Sequence, residues 1–274
     1  MPRTTAEKRA AFRALHESGC FTLPNPWDVG SARYLASLGF QAIATTSSGY
    51  AWSTGRADNQ ASRDDILAHL RAMVEATDLP VNADFESGFG DDAAGVAESV
   101  KLAVATGVAG LSIEDATGDA AAPLWPIEIA VARLAAARQA IDDNGGDTLL
   151  IGRAENFFVG VPDLNDTLER LKAYAAAGAD CLYAPGIRTR EEIEAVVAAV
   201  SPKPVNVLIG ANSALTLPEL AALGVRRISV GGALARSAWG GFMRAAQALS
   251  DGRFDGFADA PRGSDLNALF TRSA

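Results

Sequence analysis

Eight short apolar runs recur along this chain, and a longer stretch with helical spacing separates most runs from the next. The runs lie near residues 20–24, 42–46, 81–85, 110–114, 149–153, 181–184, 205–209 and 227–231. The helical stretches are rich in alanine and leucine and cover residues 31–38, 63–76, 93–106, 127–142, 164–177, 190–200 and 217–223. This alternation is typical of parallel βαβ units with right-handed crossovers. Eight strands with seven or eight helices predict an α/β fold, a closed (β/α)₈ TIM barrel.

The chain length and the lack of a linker favour a single domain. A (β/α)₈ barrel typically needs about 250 residues, so 274 residues suit one barrel over 1–274. A helical run reaches about Leu249, which predicts a C-terminal helical extension over about 237–274. The tail beyond that run contains helix-breaking residues, namely Gly252, Gly256, Pro261 and Gly263. We therefore expect irregular backbone there.

Charge and cysteine spacing exclude several classes of partner. The net charge is −9 and no run of Lys or Arg exists, so nucleic acid and anionic membranes are poor partners. No uninterrupted apolar stretch reaches the roughly 18 residues of a membrane span, and the charged N-terminus does not resemble a secretory signal. Cys20 and Cys181 lack metal-ligand spacing and are expected to be reduced thiols. These features predict a cytoplasmic enzyme.

Charged side chains follow three consecutive apolar runs at the point where each run ends. They are Asp84, Glu86, Glu114, Asp115, Arg153 and Glu155. A parallel strand covered on both faces is apolar throughout, so charges at strand ends indicate the rim of the sheet. The carboxyl ends of the strands are where α/β folds place their sites. We expect one shared cluster, in which Asp115 either caps a helix or accepts hydrogen bonds behind the site.

The acids of this cluster predict a metal site. Asp84 and Glu86 lie two positions apart, so on an extended strand both carboxylates face the same side. Glu114 ends the next run, and three carboxylates in one pocket repel one another unless a cation is present. Oxygen ligands suit Mg²⁺, with Mn²⁺ as a further candidate. Alternatively, these acids are solvated strand ends or helix caps, and Arg153 neutralises Glu155 instead of binding a substrate anion.

Two connections after strand ends are longer than the repeat requires. Residues 47–62 form one polar connection and residues 116–126 form another. Long loops in compact domains often act as lids, so we expect both to overhang the predicted site.

Several short motifs form a specific combination, although none is specific alone. They are Asn25-Pro26-Trp27-Asp28 with Ser31-Ala32-Arg33, Thr45-Thr46-Ser47-Ser48-Gly49, Asp58, Asp84-Phe85-Glu86-Ser87-Gly88-Phe89-Gly90, Ile113-Glu114-Asp115 and Gly152-Arg153-Ala154-Glu155. Over roughly residues 18–250 the chain resembles the isocitrate lyase/phosphoenolpyruvate mutase superfamily. The resemblance implies a (β/α)₈ barrel, a Mg²⁺ site and 2-oxo or 2-hydroxy acid substrates. It also implies dimers that exchange the last barrel helix and commonly pair into homotetramers.

The resemblance also implies roles for the charged residues. Asp84 and Glu86 match the superfamily's metal-binding pair, which is often Asp-x-Asp, so Glu86 is a departure that suggests binding through a water. Glu114 matches the third acid. Arg153 matches the arginine that holds a carboxylate or enolate oxygen of the substrate. Asp58 matches the acid of the second loop, and we expect it to act with Arg153 and Glu114 in catalysis.

The remaining implied roles concern substrate binding. Ser47, Ser48 and Gly49 match the segment that binds the substrate carboxylate through hydroxyl and backbone N–H groups. Trp27 and Asn206 are expected to shape the pocket and contact the substrate.

The chain differs from the superfamily in the loop where a proton donor is expected. Isocitrate and methylisocitrate lyases carry a Lys-Lys-Cys-Gly-His loop, whereas residues 116–123 contain no Cys, Lys or His. The loop lysine of the phosphonate mutases and hydrolases is missing too. His16 and His69 lie outside the strand ends and are interpreted as non-catalytic. The proton donor stays open among Asp58, Tyr50, Thr117 and Tyr183.

The preserved residues predict a Mg²⁺-dependent carbon–carbon lyase acting on a small 2-hydroxy or 2-oxo di- or tricarboxylate. A metal and an arginine stabilise the enolate that forms when the bond breaks. The alternatives are decarboxylation of oxaloacetate-like acids, phosphonate P–C chemistry, and a protein that binds 2-oxo acids without turnover.

Overall fold

Eight parallel strands, each followed by a helix, confirm the predicted (β/α)₈ barrel in a computed structural model that describes residues 2–271. The strands are β1 Phe21–Leu23, β2 Ile43–Ala44, β3 Val81–Asp84, β4 Gly110–Glu114, β5 Leu149–Arg153, β6 Cys181–Tyr183, β7 Val205–Leu208 and β8 Arg227–Ser229. Each strand lies within its predicted apolar run. The apolar pattern therefore located every strand, because parallel strands are buried on both faces.

The barrel closes between its first and last strands. β1 pairs with β8, and each remaining strand pairs with its neighbour in sequence down to β2. Ala44 N donates to Pro24 O at 3.0 Å, which joins β2 to the end of β1. Asn25 reinforces this seam, because its amide donates to Thr45 O at 2.9 Å and accepts from Val230 N at 2.9 Å. One buried side chain thus links the ends of β1, β2 and β8.

The helices surround this sheet. They are α1 Thr5–Leu15, α2 Val29–Ser37, α3 Ser47–Ser53, α4 Arg63–Ala76, α5 Ala93–Ala105, α6 Ile127–Asp142, α7 Leu164–Ala176, α8 Arg190–Val200, α9 Leu217–Ala222, α10 Ala233–Ser250 and α11 Gly263–Thr271. A short 3₁₀ helix lies at Asp255–Phe257. The periodic stretches predicted seven of these helices.

Two predictions of irregular backbone are wrong. Residues 47–62 begin with α3, because the Thr46 hydroxyl accepts a hydrogen bond from Gly49 N at 3.3 Å and caps the helix start. The tail contains α11, which packs against α2 despite the glycines around it. Tertiary packing has overridden a local signal in the tail.

Two apolar layers hold the barrel together. The larger layer lies between the strands and the surrounding helices and includes Ile43, Leu111 and Leu182. The smaller layer fills the barrel interior, where Phe12 of α1 packs against Phe21 and Leu23. Among the residues that the structure describes, no helix is long and apolar enough to cross a membrane. The interior above the Phe12 layer is polar, and it leads to the carboxyl ends of the strands.

Candidate active site

A cavity of about 920 Å³ opens at the carboxyl ends of the strands. Asp84, Arg153, Tyr183 and Ser229 line it from the ends of four strands. The cavity therefore lies where the strand-end charges predicted a site.

Arg153 is the centre of the charge cluster. Its Nη1 lies 3.0 Å from Asp84 Oδ1 and 3.0 Å from Glu114 Oε2. Its Nε donates to Glu155 Oε1. The Tyr183 ring lies 5.2 Å from the guanidinium carbon, in cation–π geometry. Three carboxylates and one aromatic face thus fix the orientation of this guanidinium.

Asp84 connects the cluster to the start of α3. Its Oδ2 accepts hydrogen bonds from Ser47 N at 3.0 Å and from Ser47 Oγ at 2.9 Å. Its backbone N–H donates to Thr45 Oγ1 at 2.9 Å. Both Asp84 oxygens therefore have partners, one on each side of the cavity floor.

The carboxylates around Arg153 are difficult to ionise together. Burial raises the pKa of Glu114 well above its usual value, and burial also raises the pKa of Glu155. Burial opposes the charge on Arg153, but Glu114, Glu155 and Asp84 outweigh burial and hold its pKa well above the usual value. The arginine stays charged, and this one cation is not enough to keep all the acids around it ionised.

Glu86 does not occupy the strand position that the sequence predicted. β3 ends at Asp84, and Glu86 has a left-handed backbone with φ of 49°. The expectation that both acids share one face of an extended strand is wrong, because the turn begins one residue too early. Glu86 O instead accepts a hydrogen bond from Glu114 N at 3.0 Å, which holds the two acid-bearing segments together. A non-glycine residue in this conformation stores strain, as functional sites often do.

The side chain of Glu86 supports a cation site. Its Oε1 is buried and has no hydrogen-bond partner among residues 2–271. Burial, together with the charges of Asp84 and Asp58, raises the pKa of this carboxyl to about 8. An unpartnered buried oxygen among carboxyl groups that are hard to ionise suits a hard cation, which would favour their charged forms.

The same residues are not arranged as a finished metal cage. No group of three or more acidic, cysteine or histidine side chains with metal-binding geometry occurs between residues 2 and 271. Arg153 Nη1 instead lies between Asp84 and Glu114. The donor chemistry fits Mg²⁺, which usually retains several waters and needs few direct protein ligands. Asp84, Glu86 and Glu114 are the side chains that could hold it.

The other predicted site residues divide between the cavity and the surrounding core. Ser47, Ser48, Asp58 and Asn206 line the cavity. Trp27, Gly49, Glu86 and Glu114 are absent from its lining within the described part of the chain. The structure therefore places only some of the predicted site residues at the surface of the cavity.

Gly49 and Asp58 illustrate this division. A Cβ on Gly49 would lie 2.7 Å from Thr46 Cγ2 and 2.9 Å from Trp27 Cβ, so this glycine permits close packing of α3. Asp58 is exposed at the cavity edge and accepts hydrogen bonds from Asn59 N at 3.0 Å and Ser47 Oγ at 3.5 Å. Desolvation on its inner side and the charge of Asp84 raise the pKa of Asp58.

A buried network lies behind the cluster. Asp115 Oδ1 accepts from Glu155 N at 2.8 Å, and Asp115 Oδ2 accepts from Arg170 Nη1 at 3.1 Å and from the Tyr174 hydroxyl. Asp115 thus accepts hydrogen bonds behind the site, one of its two predicted roles. It fixes the backbone of the residue that binds Arg153 Nε.

Several cavity residues were not predicted from the sequence. Residues 209–215, which follow β7, line one wall, and Arg236 also lines the cavity. Residues 116–126, expected to overhang the site, are absent from the described lining. They fold back on themselves, with Thr117 N donating to Pro123 O at 3.0 Å. The length of a loop does not reveal which way it folds.

The described lining contains no Cys, Lys or His. His16 lies below the site, with its Nε2 3.4 Å from Arg227 Nη1, and His69 stacks on Tyr50 with ring centroids 4.2 Å apart. Burial lowers the pKa of His16 to about 3 and that of His69 to about 4, so both rings are neutral near pH 7.

Known proteins resemble this chain in sequence. Residues 12–250 match the family described as phosphoenolpyruvate phosphomutase. An uncharacterised protein of Mycobacterium tuberculosis is 31% identical over 244 residues, which cover 88% of this chain and 90% of that protein. Oxaloacetate decarboxylase of Bradyrhizobium diazoefficiens is 35% identical over 160 residues, which cover 57% of this chain and 53% of that enzyme.

Solved structures resemble it in fold. A candidate lyase/mutase of Burkholderia cenocepacia has a TM-score of 0.94 and 51% identity, covering 97% of both chains. Phosphonopyruvate hydrolase with oxalate and Mg²⁺ has a TM-score of 0.85 and 28% identity, covering 97% of this chain and 95% of that one. Oxaloacetate acetylhydrolase with its product oxalate has a TM-score of 0.85 and 26% identity, covering 98% and 94%.

Proposed function

The chain belongs to the phosphoenolpyruvate phosphomutase family of enzymes, and on that premise we propose that it is a Mg²⁺-dependent carbon–carbon lyase. Its substrate is a 2-hydroxy or 2-oxo di- or tricarboxylate, and its products include a 2-oxo acid. The proposal includes a cytoplasmic location and no nucleic acid or membrane partner.

One observation carries this proposal, namely the unequal use of the Arg153 nitrogens. Nη1 and Nε are held by carboxylates, whereas Nη2 has no hydrogen bond to any residue between 2 and 271. Arg153 lines the cavity, so a bound anion can reach this nitrogen without displacing an acid. A guanidinium already fixed in place stabilises a developing enolate oxygen without reorganising.

The acids around Arg153 would add a divalent cation to the site. Asp84, Glu86 and Glu114 would hold the divalent cation. When bound, the cation acts as a Lewis acid toward the oxygens of a 2-oxo acid. Ser48 offers its hydroxyl to the substrate carboxylate at the cavity floor, and the Ser47 hydroxyl, which donates to Asp84 in this structure, would turn to the carboxylate when substrate binds. Asp58, with its raised pKa, takes the hydroxyl proton of a 2-hydroxy substrate as the general base.

The relatives support this chemistry. Oxaloacetate acetylhydrolase is described with the product oxalate, and phosphonopyruvate hydrolase is described with oxalate and Mg²⁺. Oxalate has the adjacent oxygens of a 2-oxo acid enolate. A protein of this fold that binds oxalate therefore binds the charge pattern that bond cleavage produces.

Oxaloacetate-type decarboxylation is the second candidate. The 35% identity to oxaloacetate decarboxylase of Bradyrhizobium diazoefficiens favours it. It needs the same enolate stabilisation from Arg153 and differs only in releasing CO₂ from the broken bond.

The outer face of α10 supports the proposed assembly. Trp239 is 39% exposed, and Phe242 and Met243 are each 62% exposed. Large apolar side chains exposed together usually mark an interface. We propose that α10 is exchanged within a dimer and that dimers pair into homotetramers. Phe242→Glu should lower the mass measured by light scattering, and an unchanged tetramer would contradict this assignment.

A substrate panel tests the proposed function. The enzyme is incubated with 2-methylisocitrate, isocitrate, 2-methylmalate, oxaloacetate and phosphonopyruvate, with Mg²⁺ or EDTA, and products are followed by NMR. Release of a 2-oxo acid without CO₂ supports the lyase, and CO₂ release supports the decarboxylase. Phosphate release alone, or no turnover of any compound, contradicts carbon–carbon cleavage.

A further inference from the structure

We propose that Tyr183 is the proton donor of this site, an inference that rests on the proposed enolate chemistry. The proton leaves Tyr183 Oη for the substrate carbon that has lost its carbon–carbon bond. The electron pair of that bond, held in the enolate, forms the new C–H bond. The phenolate then regains a proton from water in the open cavity.

The position of Tyr183 suits this role. It lies at the end of β6, lines the cavity and places its ring 5.2 Å from the guanidinium carbon of Arg153. Tyr50 and Thr117, two other candidates, are absent from the described lining. Asp58 accepts hydrogen bonds at the cavity edge, as a base does.

A chain of hydrogen bonds beneath Tyr183 orients the Ser229 hydroxyl next to it. Arg227 can only donate, so the atom 2.9 Å from its Nε must be the carbonyl oxygen of Asn206. The Asn206 amide nitrogen therefore donates to Ser229 Oγ at 3.0 Å. Ser229 has accepted that bond, so its own proton is free to point toward Tyr183, and the Ser229 hydroxyl acts to lower the pKa of Tyr183.

This direction leaves the Tyr183 proton available to the cavity. A phenol that accepts from Ser229 donates its own O–H elsewhere, and Tyr183 lines the cavity. Burial raises the pKa of Tyr183 to about 12, so the phenol is protonated near neutral pH. Arg153 lies over the ring and stabilises the phenolate that remains after the transfer.

The same chain holds the Asn206 amide in a fixed orientation. Both ends of its amide are engaged inside the barrel, one by Arg227 and one by Ser229. Arg227, Asn206 and Ser229 are positioning residues that act through Tyr183. Replacing one of them should change the rate of proton transfer more than the affinity for an anion.

Deuterium exchange into pyruvate tests the proposal without a known substrate. The Mg²⁺-loaded enzyme is incubated with pyruvate in D₂O, and the methyl signal is followed by NMR. Wild type should exchange the methyl protons, and Tyr183→Phe should slow this exchange by about 100-fold. The affinity for oxalate should stay unchanged, and Tyr50→Phe should exchange as wild type does.

Each outcome decides between the two proposals. Exchange by Tyr183→Phe at the wild-type rate overturns the role of Tyr183 and leaves the proposed function standing. Wild type that binds oxalate but never exchanges pyruvate overturns the enolate chemistry itself.

Ser229→Ala decides the case if Tyr183→Phe fails to fold. It keeps Tyr183 and removes only the hydroxyl that orients it. Slower exchange, by about tenfold to 100-fold at unchanged oxalate affinity, supports the proposal. An unchanged exchange rate overturns it.

Discussion

Two arginines extend from strands of the barrel, Arg153 from β5 and Arg227 from β8, and their partners differ in kind. Arg153, at the rim, contacts three carboxylates. Arg227, in the interior, is 2% exposed and has only neutral acceptors within the described chain, namely Asn206, Asn82 and His16. The rim thus has more carboxyl groups than cations, which suits a further cation, while the interior has an uncompensated positive charge. The neutral acceptors hold the Arg227 guanidinium in one orientation but do not neutralise its charge.

This difference shows how one residue type serves two purposes. An arginine among carboxylates is a fixed charge that can stabilise an anion. An arginine among amides and a neutral imidazole is a fixed donor, which determines how every later hydrogen bond in the chain points. The structure therefore predicts that changes at the rim mainly lower catalytic activity. Changes in the interior should mainly lower stability and alter how hydroxyl groups are oriented.

Arg153→Met should have the largest effect. It removes the cation that faces the substrate anion, so kcat/KM should fall by about 1,000-fold. Steady-state kinetics on whichever compound of the panel is turned over measures this loss. Arg190→Met, on the outer helix α8, is the matched control and should retain wild-type activity. Activity of Arg153→Met within about tenfold of wild type contradicts the role of the rim arginine.

Arg227→Met should act on stability instead. It leaves Asn206 Oδ1 and Asn82 Oδ1 without their donor inside the barrel, so the free energy of unfolding should fall by about 2–4 kcal/mol. Urea denaturation measures this, with Arg71→Met as the control on the exposed face of α4. Oxalate binding should persist. Unchanged stability, or loss of oxalate binding, would remove the contrast between the two arginines.

Much of the fold could be predicted from the sequence, because its signals are local. The apolar runs, separated by stretches with helical spacing, located all eight strands. The charges at the strand ends predicted that Asp84, Glu114 and Arg153 lie close together. Glu86 was misplaced because the strand ends at Asp84 and the chain turns through a left-handed residue. A periodicity of two cannot show where a strand stops.

The interior network could not be predicted, because it depends on register between distant strands. Asn206 lies opposite Arg227 and Tyr183 through pairings of β7 with β8 and of β6 with β7. The sequence shows that these residues belong to strands, but it does not show how far neighbouring strands are staggered. For the same reason the wall formed by residues 209–215 was missed.

Asp115→Asn tests whether the rim is supported from behind. It removes the charge that pairs with Arg170 and weakens the hold on Glu155 N, so Arg153 should lose part of its orientation. We expect kcat to fall by about tenfold with a smaller change in oxalate affinity. Tyr174→Phe, which removes one donor and keeps the charge of Asp115, should have less effect. Equal losses of kcat in both variants would contradict this account of the support.

His16→Gln should have the smallest effect and sharpen the picture of the interior. Burial lowers the pKa of His16 from 6.5 to about 3, so the unfolded chain binds a proton that the folded chain rejects. Its contribution to stability is therefore present above pH 6.5 and is lost as pH falls toward 3. Between about pH 7.5 and pH 5.5, wild type should lose about 1 kcal/mol more than His16→Gln in urea denaturation. Equal losses would mean that folding does not lower the pKa of His16.

Calorimetric titration of oxalate tests the central claim most directly, namely that the rim acids and Arg153 hold a divalent cation and a 2-oxo acid together. The account predicts tight binding with Mg²⁺, and loss of that binding with EDTA or in Asp84→Asn. Oxalate affinity that is the same with Mg²⁺, with EDTA and in Asp84→Asn would contradict it.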